Sequence, residues 1–220
     1  MKTVVITGAS KGLGLEISKF LLTKNWRVYG LASGICKFKK KNFYYSQLDI
    51  RNAELVKKFF TKKSIKIDLL INNAGVFHFS EFLKTSIKKI DSILDTNIKG
   101  SVYVTKFSVP LMKRNSRMIF INSVAGLTKI KKQSIYCASK QALTAFAAVL
   151  GEELRKNKIK VTSIHPGGIN TTLWKKFKLH KNKNKLINPV HIAKLIEFIC
   201  KSPINLEYKN IKLFPEIEWH

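Results

Sequence analysis

The sequence has few acidic residues, few cysteines and no long apolar run. Only 13 of its 220 residues are Asp or Glu. Its three cysteines, Cys36, Cys137 and Cys200, lie far apart, so neither a cysteine metal site nor a paired redox motif is predicted. The apolar runs have the length of a strand, too short to cross a membrane, and the first run is too short for a secretion signal. These features favour a cytoplasmic protein in a reducing compartment, with no membrane span and no bound metal.

The shortage of acidic residues leaves a formal net charge of +28 at pH 7. The 41 basic residues comprise 36 Lys and five Arg, with 20 in residues 1–110 and 21 in residues 111–220. Such an excess is typical of proteins that bind nucleic acid or another polyanion. A genome rich in A and T also produces it, because the codons for Lys, Ile and Asn are A/T-rich. Since no single segment carries the charge, the second explanation is favoured, and nucleic acid is not expected as a partner.

Length and periodicity predict one domain in which strands and helices alternate. A chain of 220 residues can bury one full core and is too short for two ordinary domains. Apolar and β-branched runs predict strands at 2–7, 27–32, 43–50, 118–123, 159–164 and 210–214, and residues 68–75 are predicted to form a strand followed by a tight polar turn. Helices are predicted between them, including two long ones at 87–112 and 136–156. This alternation predicts an α/β fold: a single Rossmann-type doubly wound sheet of about seven mostly parallel strands, with helices on both faces.

The first predicted strand runs into a glycine-rich turn, T-G-A-S-K-G-L-G at 7–14, and an amphipathic helix follows. Glycines let a backbone approach a pyrophosphate closely, and a helix N-terminus offers free N–H groups and the positive end of the helix dipole. A strand, a glycine-rich turn and a helix in this order predict a dinucleotide site. The spacing differs from the usual G-x-G-x-x-G.

The second predicted strand indicates which dinucleotide binds. An acidic residue at the end of this strand typically holds the adenosine 2′-hydroxyl and repels a 2′-phosphate. The sequence instead has Ala-Ser-Gly at 32–34, and Lys11 lies inside the glycine-rich turn. A cation with no carboxylate opposite favours NADP(H) over NAD(H). At the end of the third predicted strand, Asp49 is suited to an adenine edge, or alternatively to capping the helix that begins near Asn52.

Tyr136 and Lys140 form the pair that points most directly to catalysis. Their i, i+4 spacing places both side chains on one face of a helix, one turn apart. An ammonium beside a phenol favours the phenolate and lowers the pKa of Tyr136 towards the range of a general acid or base. Ser123 follows a predicted buried strand, where its hydroxyl can hold a carbonyl oxygen while Tyr136 handles the proton. Alone, the pair also fits an ordinary helix with a surface Lys and a half-buried Tyr.

The ordered set of motifs resembles the short-chain dehydrogenase/reductase family across nearly the whole chain. The set comprises T-G-A-S-K-G-L-G (7–14), Asp49, N-N-A-G (72–75), Asn97, Ser123, Y-C-A-S-K (136–140) and P-G-G-I-N-T (166–171). The step of 13 residues from Ser123 to Tyr136 is the usual interval of that family. The resemblance implies an oxidoreductase that transfers a hydride between NADP(H) and a carbonyl or alcohol.

The resemblance also implies roles for individual residues. The catalytic tetrad that it implies is Asn97, Ser123, Tyr136 and Lys140. Tyr136 would donate a proton to the substrate carbonyl, Ser123 would hydrogen-bond that oxygen, and Lys140 would lower the pKa of Tyr136 and hold the nicotinamide ribose. Asn97 would position a water that relays protons to Lys140. The cofactor-binding residues that it implies are Gly8, Ser10, Lys11, Gly12, Leu13, Gly14, Ser33, Asp49, Ile50, Asn73, Ala74, Gly75, Tyr136, Lys140, Pro166, Gly167, Ile169 and Thr171.

Residues 172–187 are predicted to be a short substrate lid, because members of this family choose substrates with the segment after P-G-G-I-N-T. Its aromatic and basic residues fit an acyl or aromatic carbonyl that bears an anionic carrier or a phosphate, and 3-oxoacyl thioesters are one candidate. Alternatively, its lysines follow the overall composition and its aromatic residues only pack the lid.

The chain is expected to associate with copies of itself, and one alternative function stays open. Family members commonly pair through the helices that here hold 87–112 and 136–156, so a homodimer or homotetramer is expected. The alternative function, from another class, is a non-catalytic NAD(P)-binding regulatory or scaffold protein with a basic, polyanion-binding surface.

Overall fold

Seven strands form one sheet within residues 1–62, 65–171 and 185–216, the parts of the chain that this computed structural model describes. They are β1 (Thr3–Thr7), β2 (Arg27–Ala32), β3 (Phe43–Gln47), β4 (Ile67–Asn72), β5 (Met112–Ile121), β6 (Lys160–Pro166) and β7 (Asn210–Leu213). Their order across the sheet is β3-β2-β1-β4-β5-β6-β7, and each neighbouring pair is parallel. The predicted doubly wound α/β sheet is therefore confirmed.

Helices cover both faces of this sheet. In the same part of the chain they are α1 (Gly12–Thr23), α2 (Ala53–Lys62), α3 (Ile87–Leu94), α4 (Ser101–Ser108), α5 (Ser134–Glu153) and α6 (Pro189–Lys201). Short 3₁₀ turns lie at Phe82–Lys84, Val109–Leu111, Val124–Gly126 and Leu154–Asn157. Pro189 opens α6 as predicted, because the first helical position needs no N–H donor. None of the described helices is long and apolar enough to cross a membrane.

The alternation of side chains along the strands builds a core on each face of the sheet. On one face, Val4 and Ile6 of β1 share a core with residues of α1 and α6 such as Ile17 and Ile196. On the other face, Val5 belongs to a second core, together with residues of α2, α4 and α5. Because both faces are covered, the central strands have continuous apolar segments, such as 4–6 of β1 and 69–71 of β4, and such segments predicted them.

One predicted helix is wrong. Residues 87–112 do not form a single helix, because a π-helical turn at Asp95–Gly100 separates α3 from α4. The helical segment ends at Val109–Leu111, where Pro110 has no N–H to donate, and Met112 already belongs to β5. A Cβ on Gly100 would come within 2.6 Å of Ile50, so the π-helical turn packs closely against a residue of the predicted site. Wider turns of this kind are frequent at functional sites.

The strand order reverses between β1 and β4. From β1 the chain adds β2 and β3 on one side, and it then returns to place β4 on the other side of β1. In open α/β sheets, ligands bind at such a switch point, outside the carboxyl ends of the strands. The glycine-rich turn follows β1 and the N-N-A-G turn follows β4, so the fold brings both motifs to this edge of the sheet.

Candidate active site

A cavity of about 660 Å³ opens at the carboxyl ends of the strands. Its volume is in the range of small-molecule and cofactor sites. Every residue predicted to bind the cofactor lines this cavity, and Ser123, Tyr136 and Lys140 of the predicted tetrad line it too. Asn97, the fourth member of that tetrad, is buried and does not line the cavity itself. It hydrogen-bonds the backbone of Val76, which does line the cavity.

The glycine-rich turn requires glycine at two positions with positive φ. Gly8 and Gly12 have φ of 70° and 58°, in the left-handed region where other residues are strained. A Cβ on Gly12 would meet only Thr171, 3.9 Å away, so the position is open to a ligand. A Cβ on Gly14 would instead clash with the Gly8 carbonyl and lie 2.5 Å from Nδ2 of Asn73. Gly12 therefore leaves room in the cavity, whereas Gly14 allows two turns to pack closely.

Thr7 ties the turn after β4 to the glycine-rich turn. Its hydroxyl accepts hydrogen bonds from the backbone N–H groups of Asn73 and Ala74, both at 2.9 Å. Its carbonyl accepts from Nδ2 of Asn73 at 2.8 Å. Asn73 lines the cavity while its amide group is bound to β1. This network fixes the relative positions of the two turns that would hold a dinucleotide.

The end of the cavity next to β2 and β3 contains an ion pair that the sequence analysis missed. Nη2 of Arg51 lies 2.6 Å from Oδ2 of Asp49, and its Nε lies 3.0 Å from both carboxylate oxygens. These hydrogen bonds are the main cause of the lowered pKa of Asp49, which keeps the carboxylate ionised. The alternative in which Asp49 caps α2 is wrong, because the Asn52 side chain takes that position and accepts from the Leu55 N–H at 3.0 Å.

Ser123, Tyr136 and Lys140 meet near the ends of β5 and β6. The Ser123 hydroxyl hydrogen-bonds the Tyr136 phenol. Lys140 is only 4% exposed, and its Nζ donates to the Ile121 carbonyl at 3.1 Å. The same Nζ lies 5.9 Å from the centroid of the Tyr136 ring. A phenol is thus placed between a hydroxyl and a buried ammonium, which is an arrangement suited to proton transfer.

Burial has the largest effect on the pKa values of this pair. Desolvation raises the pKa of Tyr136 to about 12, although the hydrogen bond with Ser123 acts in the opposite direction. Burial also lowers the pKa of Lys140 to about 8. The shift at Tyr136 is opposite to the predicted one, because the low-dielectric surroundings disfavour the phenolate more than the nearby groups stabilise it. The phenol is therefore protonated at neutral pH, as a proton donor must be.

Asn97 connects the wall of the cavity to the helix that carries Tyr136. Its Oδ1 accepts from the Val76 N–H at 2.8 Å, and its Nδ2 donates to the Val76 carbonyl at 3.0 Å. Nδ2 also donates to the Ser139 hydroxyl at 3.0 Å, and that hydroxyl donates to the Tyr136 carbonyl at 2.7 Å. These bonds position the loop after β4 against α5. The expected role of Asn97 in holding a water stays a prediction.

The segment after β6 supplies the last part of the cavity wall. The residues of this segment that were predicted to bind the cofactor all line the cavity: Pro166, Gly167, Ile169 and Thr171. Ile169 also forms a parallel bridge with Ile187. Of the predicted lid at 172–187, residues 172–184 lie outside the described residues.

His165, at the end of β6, contacts the backbone of Ser123, and the sequence analysis missed this contact. Its Nδ1 lies 3.2 Å from the Ser123 carbonyl oxygen, and its Nε2 lies 3.0 Å from Oδ1 of Asn210. Burial lowers the pKa of His165, so the ring is neutral at pH 7.

Gln133 is a second residue near the candidate site that the sequence analysis missed. It lies three residues before Tyr136, is 5% exposed and lines the cavity. A polar residue about one helical turn before the candidate proton donor was a usable signal. Other cavity residues depended on the tertiary fold and had none; they include Val76, Phe77, Ser92, Thr96, Val124 and Ile130.

Sequence comparison identifies relatives over nearly the whole chain. A family model described as short chain dehydrogenase matches residues 2–182. An uncharacterized oxidoreductase of Staphylococcus aureus (strain MRSA252) is 30% identical over 229 residues, which cover 97% of each chain. The 3-oxoacyl-[acyl-carrier-protein] reductase FabG of Buchnera aphidicola subsp. Schizaphis graminum is 32% identical over 196 residues, covering 84% of this chain and 80% of that protein.

Solved structures share the fold at lower identity. A short chain dehydrogenase family protein from Francisella tularensis superposes with a TM-score of 0.87 at 22% identity, covering 97% of each chain. ElxO with NADP bound gives 0.84 at 22% identity and covers 97% of each chain. The 3-ketoacyl-(acyl-carrier-protein) reductase from Brucella melitensis complexed with NADH gives 0.86 at 22% identity, covering 97% of this chain and 96% of that one. Since the family model spans most of the sequence, this chain belongs to the short-chain dehydrogenase/reductase family of oxidoreductases.

Proposed function

We propose that this protein is a single-domain NADP(H)-dependent reductase that converts a carbonyl group to an alcohol, with Tyr136 as the proton donor. One observation carries the proposal: the glycine-rich turn and the cluster of Tyr136, Ser123 and Lys140 line the same cavity. A dinucleotide held by the turn and a carbonyl held by the cluster would therefore share one cavity.

The described residues fit a nicotinamide dinucleotide. Gly12 leaves open the space that a side chain would fill, and α1 begins there with N–H groups suited to a pyrophosphate. Lys11 lines the cavity, and the end of β2 at 32–34 carries no carboxylate, which together favour NADP(H) over NAD(H). Similar folds hold NADP in one solved structure and NADH in another, so the choice depends on these residues. When bound, the nicotinamide supplies the hydride.

The residues of the chain handle the proton. The Ser123 hydroxyl would hydrogen-bond the substrate carbonyl oxygen and hold it beside the phenol. Tyr136, which is protonated because burial raises its pKa, would transfer its proton to that oxygen as negative charge develops there. The buried Lys140 would stabilise the phenolate that remains, since charges interact strongly where water is excluded. In the reverse direction the phenolate would remove a proton from an alcohol.

The substrate that we propose to test first is a 3-oxoacyl thioester, followed by simple ketones and aldehydes. Apolar Phe77, Val124 and Ile130 and polar Gln133 line the same cavity as Tyr136, so an acyl chain and a second polar group can both be accommodated. One relative is named a 3-oxoacyl-[acyl-carrier-protein] reductase. The net charge of +28 also suits a substrate that is attached to an anionic carrier.

Cofactor titration followed by a turnover assay tests the proposal. NADPH and NADH are titrated separately into the purified protein, and binding is followed by energy transfer from its tryptophans. NADPH oxidation is then measured with an acetoacetyl thioester, a simple ketone and an aldehyde. We expect tighter binding of NADPH and oxidation with at least one substrate. Tighter binding of NADH would contradict the cofactor assignment, and NADPH binding without turnover on the whole panel would favour a non-catalytic scaffold.

We also propose that the chain forms a homodimer or homotetramer through α5. Leu143 and Ala147 of this helix are buried in the core, whereas Ala142 and Ala145 are exposed on another face and Val149 is 60% exposed. A helix that is apolar on several sides is typically covered on several sides. Light scattering over a range of concentrations should detect the assembly, and Val149→Glu should weaken it. A monomer at every concentration would contradict this proposal.

A further inference from the structure

The buried ring of His165 lies between Ser123 and the last strand of the sheet. His165 is 0% exposed. Its Nδ1 faces the Ser123 carbonyl oxygen, and its Nε2 faces the side chain of Asn210, the first residue of β7. A buried ring with a polar partner at each nitrogen is fixed in orientation, because rotation would leave both nitrogens unpaired. The ring therefore connects Ser123 to an exposed residue of another strand.

Ser123 lies just beyond the point where β5 pairs with β6. The Asn122 N–H still donates to the Ile164 carbonyl at 2.8 Å, as in a parallel ladder. One residue later, the Ser123 carbonyl accepts from the Gly126 N–H at 2.9 Å, and its second lone pair is available to the His165 ring. Because the peptide group is planar, a contact that holds this carbonyl also fixes ψ of Ser123, and with it the direction of the side chain.

The direction of the Ser123 side chain matters for the proposed reaction. The hydroxyl hydrogen-bonds the Tyr136 phenol and accepts from the Ala125 N–H at 3.2 Å. In the proposed reaction it must also reach the substrate carbonyl oxygen. Misplacement of a reacting group by about 1 Å can lower a rate by about 10²-fold. A residue that holds the Ser123 backbone can therefore affect the rate without contacting the substrate.

The neutral His165 ring has two tautomers, and one of them suits the Ser123 carbonyl. A carbonyl oxygen accepts hydrogen bonds and donates none, so this contact is favourable when Nδ1 carries the proton. Nε2 then has a lone pair, to which the Asn210 side chain can offer its NH₂ group after a half turn of the amide. Burial, together with the charges of Lys140 and Lys212, lowers the pKa of His165, although its two hydrogen-bond contacts act in the opposite direction.

We propose that His165 is a positioning residue that holds the Ser123 carbonyl through its Nδ1–H group, and that Asn210 stabilises this tautomer. This inference rests on the proposed carbonyl reduction. His165 is not among the described residues that line the cavity, so it acts through Ser123 and not on the substrate. The last strand of the sheet thereby helps to set the geometry of the cluster formed by Ser123, Tyr136 and Lys140.

Two substitutions at His165 separate hydrogen bonding from packing. In His165→Asn, the amide NH₂ group stands close to the place of Nδ1 and keeps a donor for the Ser123 carbonyl. In His165→Leu, an apolar side chain fills the site and the donor is lost. His191→Leu is the control, because it removes an exposed imidazole from α6. For each variant we would measure kcat and KM for the carbonyl substrate, the dissociation constant for NADPH and the melting temperature.

The rate should follow the donor, whereas the melting temperature should follow packing. We expect His165→Leu to lower kcat about 10- to 100-fold. Its KM and its dissociation constant for NADPH should stay within about threefold of the wild-type values, as should kcat of His165→Asn and His191→Leu. His165→Asn should nevertheless melt at a lower temperature than His165→Leu, because it leaves a cavity and buries an amide. Rates that fall in the same order as the melting temperatures would overturn the inference.

A double variant tests whether His165 acts through the Ser123 hydroxyl. In a Ser123→Ala background, His165→Leu should change kcat less than about twofold, because the group that it positions is absent. A further loss of about tenfold in this background would overturn the inference. Unchanged kcat in His165→Leu, with a wild type that turns over, would overturn the inference alone. A wild type that binds NADPH but turns over no carbonyl substrate would contradict the proposed function as well.

The tautomer can be tested without any activity measurement. Nitrogen NMR of histidine-labelled protein at pH 7 reports which ring nitrogen carries the proton, and the spectrum of His165→Leu identifies the signals of His165. We expect a protonated Nδ1 and an unprotonated Nε2. A proton on Nε2 alone would leave the Ser123 carbonyl facing a lone pair and would overturn the inference.

Discussion

Replacement of Lys140 by Met should make the protein more stable while it removes activity. Lys140 is 4% exposed, and burial lowers its pKa from 10.5 to about 8. This difference corresponds to about 3 kcal/mol, at 1.36 kcal/mol per pKa unit. Met fills a similar volume without a charge, but it leaves the Ile121 carbonyl without its donor, which costs about 1 kcal/mol. We therefore expect the free energy of unfolding to rise by about 2 kcal/mol at pH 7.

The size of this gain should depend on pH. Between pH 8 and 10.5 the folded state has lost the Lys140 proton while the unfolded state keeps it, so the stability of the wild type rises with pH over this window. The advantage of Lys140→Met should therefore be full below pH 8 and disappear towards pH 10.5. Urea unfolding of both proteins from pH 6 to 10.5 measures the difference.

A second variant controls for the loss of one positive charge from a chain of net charge +28. Lys106 is exposed on α4, so Lys106→Met removes the same charge without relieving burial. We expect a smaller change in the free energy of unfolding in this variant, because the Lys106 side chain is already exposed to solvent in the folded state. Equal gains in the two variants, or a gain at Lys140 that does not change with pH, would refute the reasoning.

Three further predictions concern the cavity. The rate of carbonyl reduction should fall above about pH 8, where Lys140 loses its proton and no longer stabilises the phenolate; a flat pH–rate profile of NADPH oxidation up to pH 10 would contradict this. Gly12→Ala should weaken NADPH binding at least about tenfold and should also lower the free energy of unfolding by about 1–2 kcal/mol, because φ at this position is positive. Gly14→Ala, whose Cβ would clash with the Gly8 carbonyl, should lower the melting temperature more than Gly12→Ala does; titrations and thermal melts distinguish the two effects. Asn97→Ala should lower the free energy of unfolding by about 3 kcal/mol, because it removes three buried hydrogen bonds worth about 1 kcal/mol each, and unchanged urea unfolding would contradict it.

Features encoded in short stretches of sequence could be predicted. The strands were evident because their burial on both faces requires continuous apolar runs, as in β1. The glycine-rich turn was evident because two of its positions have positive φ, which glycine adopts readily. Parallel strands bring their carboxyl ends to one edge, so the residues that follow β1, β4, β5 and β6 meet in one cavity.

Features that depend on tertiary packing could not be predicted. The pairing of Asp49 with Arg51 and the contact of His165 with Ser123 have no recognisable sequence pattern. The interruption of the helix predicted at 87–112 depends on packing around the π-helical turn. The pKa of Tyr136 was expected to fall because only the neighbouring charge was visible in sequence, whereas burial, which the fold determines, raises it.

Tyr136→Phe tests the central claim most directly, when turnover and cofactor binding are measured on the same preparation. The substitution removes the phenolic hydroxyl and keeps the ring. This ring packs edge-on against the ring of Phe77, with the two ring centroids 4.9 Å apart. We predict that NADPH oxidation in the presence of substrate falls by about 10²- to 10⁴-fold, the usual contribution of general acid catalysis. The dissociation constant for NADPH should stay within about threefold of the wild-type value. Turnover at the wild-type rate would show that Tyr136 is not the proton donor and would contradict the proposed mechanism.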